Sequence, residues 1–224
     1  MKEPLIDVRL FKLRGVWTAN LVALAVGFAM FGTFLMIPML LELPAELGFG
    51  FGKTVTQAGL FLLPTVFAMV LLAPIAGGMV KKYGPKRPMV LGAVSIVAAF
   101  ALPAIAHDQL WHIVASGLLT GAGMGLSLAA CTNAVVQAVP ETQTGEASSV
   151  NAIARTIGGS IGTAVISGVI AAHVSAQGIP QDAGFTNGFW IAAVVALIAI
   201  VGAIAAPAGC KRRQKADPAV ILEA

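Results

Sequence analysis

Residues 16–41 read VWTANLVALAVGFAMFGTFLMIPMLL, with no charged side chain and with Asn20 as the single amide. The run is as long as the roughly 20 residues needed to cross a hydrocarbon core of about 30 Å. Hydrocarbon offers backbone N–H and C=O groups no partner. A segment immersed in it must close its hydrogen bonds internally, which an α-helix does. The strict alternation of a membrane β-strand is absent.

Working outward from Val16–Leu41, five more runs of the same kind follow: Gln57–Val80, Pro88–Ala106, Leu110–Val139, Ala147–His173 and Gly188–Pro207. The expected fold is all-α, an integral membrane domain of six transmembrane helices over residues 16–208. An N-terminal segment, 1–15, and a tail, 209–224, flank it. Composition agrees, since 58% of the 224 residues are hydrophobic and 11% charged, where a soluble domain is nearer one quarter charged. The opening MKEPLIDVRLFKLR is not expected to be a signal peptide, because the run after it far exceeds an h-region of roughly 7–15 residues.

Charge placement sets the orientation. The formal net charge is +4, which could suit nucleic acid, but the basic residues cluster at the ends of apolar runs, where membrane topology puts them. Lys2, Arg9, Lys12 and Arg14 precede the first run, Lys81, Lys82, Lys86 and Arg87 join the second and third, and Lys211, Arg212, Arg213 and Lys215 follow the sixth. With six spans these clusters share one side, and the other side has Lys53 alone. Both termini are therefore expected in the cytoplasm and the chain in the cell membrane, with lipid and not nucleic acid as its surroundings. The connection PETQTGE, residues 140–146, lies on the cytoplasmic side without a basic residue.

Little in the chain points to catalysis. Cys131 and Cys210 form no CxxC or Cys/His cluster, so neither a metal site nor a structural disulfide is expected. HExxH, GxSxG and an intramembrane carboxylate pair are absent. The run GAGMG, residues 121–125, is no nucleotide loop, lacking both the GxGxxG spacing and a βαβ context. No catalytic residue and no cofactor is expected.

Small residues recur at helix-packing spacing. Gly117, Gly121 and Gly125 form GxxxGxxxG in the fourth run, and Gly158 and Gly162 form GxxxG in the fifth. Such rows let helix backbones approach closely in lipid, where packing rather than hydrophobicity drives association. They read either as fixed packing or as sliding surfaces of a moving protein. Pro38, Pro64, Pro74 and Pro103 fall inside runs, where kinks are tolerated.

The stretch GGMVKKYGPKR, residues 77–87, closes one helix with a basic turn and opens the next. Together with IPMLLE, QAGLFLLP and APIAGGMVKKYGPKR in that order, then TGAGMGLSLAACTNAVVQAVP and GEASSVNAIARTIGGSIGTAV, it resembles the C-terminal six-helix half of a major facilitator superfamily transporter of the 14-helix drug:proton antiporter branch. PLIDVRLF, residues 4–11, is similar to the linker preceding those helices. The family's loop motif runs roughly G-x-x-x-D-R/K-x-G-R/K-R/K. Gly77, Lys82, Tyr83, Gly84 and Lys86 match it, whereas Lys81 stands where the family prefers Asp and Pro85 where it prefers a base.

The resemblance implies half of a facilitator fold, built of two inverted three-helix repeats. It further implies a multidrug efflux proton antiporter that exports hydrophobic or amphiphilic compounds. One half supplies one wall of the cavity, so the chain is expected to be truncated or split and inactive alone, needing an N-terminal half or a second copy before substrate and protons can pass. The other class of reading is a non-transporting membrane module that assembles with another membrane protein.

Arg155 is the only charge well inside a run, and an intramembrane charge is a functional candidate. The same branch usually carries Arg in a stretch like NAIARTIGG. Arg155 lies about 12 Å of helix beyond Ala147 at 1.5 Å per residue, within reach of the interface by snorkelling. Asn133, Gln137 and Asn151 lie near it and are expected to share hydrogen bonds with it, in either a transport or a structural role. Glu42, Glu46, His107 and Asp108 read as solvated residues of the outer connections.

Overall fold

The computed structural model describes residues 13–175 and 178–207. The basic residues 2–12 and 211–215 lie outside these, as do most of the flanking segments. Six helices follow in chain order: α1 (Arg14–Glu42), α2 (Val55–Tyr83), α3 (Lys86–Ile105), α4 (Leu110–Ala138), α5 (Thr144–Ala172) and α6 (Asp182–Ala205). Each is long and apolar enough to cross a membrane. No strand occurs among the described residues, only an isolated bridge between Val174 and Pro180. All-α architecture with six membrane-capable helices is thus the observed fold.

The helices overrun their apolar cores, and in α2, α5 and α6 polar residues stand at the start. α2 begins at Val55, ahead of Gln57, because Thr54 and Gln57 close a reciprocal capping box, which satisfies two orphan donors of the first turn. α6 begins at Asp182 rather than Gly188. Asp182 sits in its first turn, where a carboxylate is favoured by the positive end of the helix dipole. Thr186 and Asn187, which precede the apolar run Gly188–Pro207, are helical there. α5 likewise starts at Thr144, with Glu146 in its first turn. Pro38, Pro64, Pro74 and Pro103 all lie inside helices.

The helices form two interlocked triplets. α1 and α4 cross at the centre, α3 and α6 pack together behind them, α2 packs on α4, and α5 packs on α1. Each second helix therefore rests on the first helix of the other triplet. α2 and α5 make no substantial contact with one another, and α2 is the least buried helix of the six.

The start of α1 and the end of α6 meet at one end of the bundle, where Arg14 Nε donates to the Ala205 carbonyl at 3.0 Å. The α2–α3 turn and the α4–α5 connection reach this same terminal end. The far end holds the α1–α2, α3–α4 and α5–α6 connections. The first of these is irregular, with a 3₁₀ turn at Ala45–Leu47 and left-handed Gly48 and Gly52.

Candidate functional site

Three crossings bring helix backbones into contact through glycine: α1–α5, α2–α4, and α3–α4, where a Cβ on Gly92 would stand 2.7 Å from the Gly123 carbonyl oxygen. A Cβ placed on Gly158 would stand 1.9 Å from the Leu24 carbonyl oxygen, and one on Gly27 would stand 2.0 Å from that of Arg155. Gly162 lies against Phe28 in the same α1–α5 crossing. In the α4–α2 crossing, a Cβ on Gly121 would stand 2.0 Å from the Thr65 carbonyl oxygen, Gly125 faces Met69, and Gly117 faces the Thr65 hydroxyl. Gly77, by contrast, faces open space.

The crossing leaves one face of α5 uncovered. Along it Ser149, Thr156, Ser160 and Ser167 are exposed, interleaved with exposed Ile153, Ile157 and Ile161. The hydroxyls of Thr156 and Ser160 donate to the carbonyls one turn earlier, Ala152 and Thr156, so the helix carries them without orphaned donors. Arg155, next in sequence to Thr156, is half-buried, and its carbonyl oxygen lies in the crossing against Gly27 of α1. Among the described residues its guanidinium has neither a hydrogen bond nor an ion pair. The open face of α2 contrasts with it, being built of Leu60, Leu63, Phe67, Val70 and Leu71.

The four residues expected to cluster do not bond to one another. Asn151 is buried and donates to Asn20 Oδ1 at 2.9 Å and to the Ala19 carbonyl at 3.3 Å, so it ties α5 to α1. Asn133 donates to the Ala129 carbonyl of its own helix, and Gln137 is exposed. The expected quartet gives way to an Asn151–Asn20 pair because α5 packs on α1 far more than on α4.

A second polar site lies at the far end and corrects the reading of His107 as a solvated loop residue. His107 is 8% exposed. Its Nδ1 faces the Pro103 carbonyl at 2.7 Å and its Nε2 faces Asp182 Oδ1 at 2.5 Å, joining the end of α3 to the start of α6. Both ring nitrogens thus face oxygens. A carbonyl only accepts, so Nδ1 must donate. The Nε2 contact then needs one further proton, on the ring or on the carboxyl. The far end also carries Asp108 and His112, paired with each other at 3.9 Å, and His173, whose Nδ1 faces the Val169 carbonyl and whose Nε2 faces Asn187. Glu42 ends α1 at this same end, and Glu46 and Lys53 lie in the α1–α2 connection that follows.

Asp182→Ala should cost about 1–3 kcal/mol, the penalty for a buried polar nitrogen left unpaired, whereas Asp182→Asn should stay close to the wild type, since an amide can donate to a neutral ring. Thermal unfolding of the solubilised variants checks this, and an Asp182→Ala protein as stable as the wild type would contradict the tie.

Among the described residues no three of His, Cys, Asp and Glu gather as metal ligands would. The far-end pair was hard to find in the sequence because its members are 75 residues apart. A polar residue in the first turn of the last span was the only available signal.

Comparison with known proteins places this geometry. The profile of the Major Facilitator Superfamily matches residues 10–221. The chain is 32% identical over 170 residues to a "Multidrug resistance protein B homolog" of Mycobacterium tuberculosis (strain ATCC 25618 / H37Rv), covering 74% of this chain and 30% of that protein. It is 30% identical over 171 residues to a "Tetracycline resistance determinant" of Streptomyces rimosus, covering 75% of this chain and 48% of that one. In shape it matches a crystal structure of a POT family transporter in complex with 5-aminolevulinic acid, with a TM-score of 0.70 at 18% identity, over 85% of this chain and 37% of that chain. It spans less than half the length of each.

Proposed function

The chain belongs to the Major Facilitator Superfamily, and from that premise we propose that it forms the C-terminal six-helix half of a multidrug efflux antiporter of the 14-helix branch. The transporter exports hydrophobic or amphiphilic compounds from the cell in exchange for protons. The bundle lies in the cell membrane with its terminal end in the cytoplasm, which follows from the basic residues gathered there.

The observation that carries this reading is the open face of α5. Surface that meets lipid is apolar, and ionisable groups at membrane depth face a cavity or a partner. Arg155, Thr156 and Ser160 are one wall of such a cavity. α1 and α4 stand behind it, and an N-terminal half or a second copy closes it. Alternating access then rocks the two halves about the midplane. The relatives' names concern drug resistance, which suits a wall of mixed isoleucine and hydroxyl character.

Everted membrane vesicles with an imposed proton gradient test the proposal, using ethidium as a hydrophobic cation. Vesicles carrying the chain alone should accumulate no more dye than empty vesicles. Vesicles carrying it fused behind the preceding portion of the Mycobacterium tuberculosis relative should accumulate dye until the gradient is collapsed. Robust uptake by a proven monomer of this chain would contradict the need for a second half. A well-folded fusion that moves no dye would contradict transport.

A further inference from the structure

We propose that the groove between α2 and α3 at the terminal end is a binding site for one anionic phospholipid. α2 and α3 are joined by a tight turn at Gly84, whose φ is 78°, but pack little against each other beyond it. They leave a groove of about 640 Å³ lined by Met79, Tyr83, Lys86, Arg87, Val90 and Leu91.

The lining is divided by chemistry. Met79, Val90 and Leu91 make an apolar wall along the spans, and Tyr83, Lys86 and Arg87 make its rim at the turn. Arg87 Cζ stands 4.7 Å from the centre of the Tyr83 ring, with Lys82 Nζ at 5.2 Å from it. Lys81, Lys82, Lys86 and Arg87 form no ion pair among the described residues, and the sequence contains no Asp or Glu from residue 47 to residue 107. The rim is a cluster of uncompensated cations at the depth where tyrosine and basic residues meet headgroups.

An acyl chain against the apolar wall and a phosphate at Lys86 and Arg87 satisfy both parts of the groove at once. Inorganic phosphate would leave the wall unused, and a zwitterionic lipid would leave the net charge uncompensated. The site requires only that the bundle sit in a bilayer, so it stands or falls independently of transport.

Native mass spectrometry of the whole chain tests the site after reconstitution in mixed phosphatidylglycerol and phosphatidylcholine and stepwise delipidation. One phosphatidylglycerol should be retained in preference to phosphatidylcholine. Lys86→Gln with Arg87→Gln should weaken retention about 30-fold, equivalent to about 1 kcal/mol for each cation. Met79→Trp, which fills the groove and keeps the charges, should weaken it as well. Neutralising Lys211, Arg212, Arg213 and Lys215 in the tail should leave it unchanged. Equal retention of both lipids, indifference to the groove variants, loss on changing the tail, or displacement by millimolar inorganic phosphate would each overturn the proposal.

Discussion

Gly158→Leu is expected to yield no folded six-helix unit, whereas Gly168→Leu on the same helix should be tolerated. A Cβ at 158 would lie 1.9 Å from the Leu24 carbonyl oxygen and 2.7 Å from its carbon. Both contacts are backbone, so no side chain can swing aside, and α1 and α5 must separate along their whole crossing. Overfilling a packed site typically costs about 1–3 kcal/mol and occasionally more, and forcing two helices apart belongs at or above the top of that range. Loss of the crossing also breaks the Asn151–Asn20 bond at 2.9 Å. Lipid supplies no hydrophobic force to drive the helices back together, and a domain's total margin is only about 5–15 kcal/mol. A Cβ on Gly168 meets nothing within 4 Å, so that variant controls for leucine itself. Gly121→Leu, against the Thr65 carbonyl, should fail as Gly158→Leu does. Size-exclusion chromatography of detergent-solubilised variants reads the outcome. Equal monodisperse yields for positions 158 and 168 would contradict the packing described.

The second large effect concerns Arg155, where stability and transport should move in opposite directions. A charge near the middle of a span costs roughly 2.5–3.5 kcal/mol on insertion scales, less where it snorkels. Among the described residues no partner offsets that cost. Arg155→Gln should therefore fold at least as well as the wild type. In the fused transporter it should nonetheless abolish proton-driven ethidium uptake, because the wall then lacks its only charge at this depth. Arg155→Lys separates charge from shape: it restores uptake in part if the charge alone matters, and fails if the planar fork is needed. A snorkelling, structural arginine would give normal uptake in all three proteins, and that result would remove Arg155 from the transport face.

The spans were legible because lipid imposes one rule on every one of them, a run of about 20 apolar residues. Their starts were less so. Asp182, Thr186 and Asn187 look like a connection until α6 is seen to use the aspartate in its first turn. The glycine rows announced close packing, yet their spacing could not name the partner. Gly158 meets Leu24 and Gly121 meets Thr65 only because each second helix leans on the first helix of the other triplet. The polar residues failed for the same reason. Asn133, Gln137 and Asn151 are near one another along the chain, but the side chain that completes Asn151 is Asn20, 131 residues away. His107 looked solvated because its partner arrives from the start of the sixth helix.

What most needs testing is that the connections alternate between two sides of a membrane. Single cysteines at positions 82, 109, 142 and 178, in a background where Cys131 and Cys210 are alanine, can be labelled with an impermeant maleimide in intact cells. Positions 109 and 178 should react from outside, and 82 and 142 only after the membrane is opened. Labelling of all four in intact cells, or any pattern in which 82 and 109 share a side, would contradict the six-span bundle.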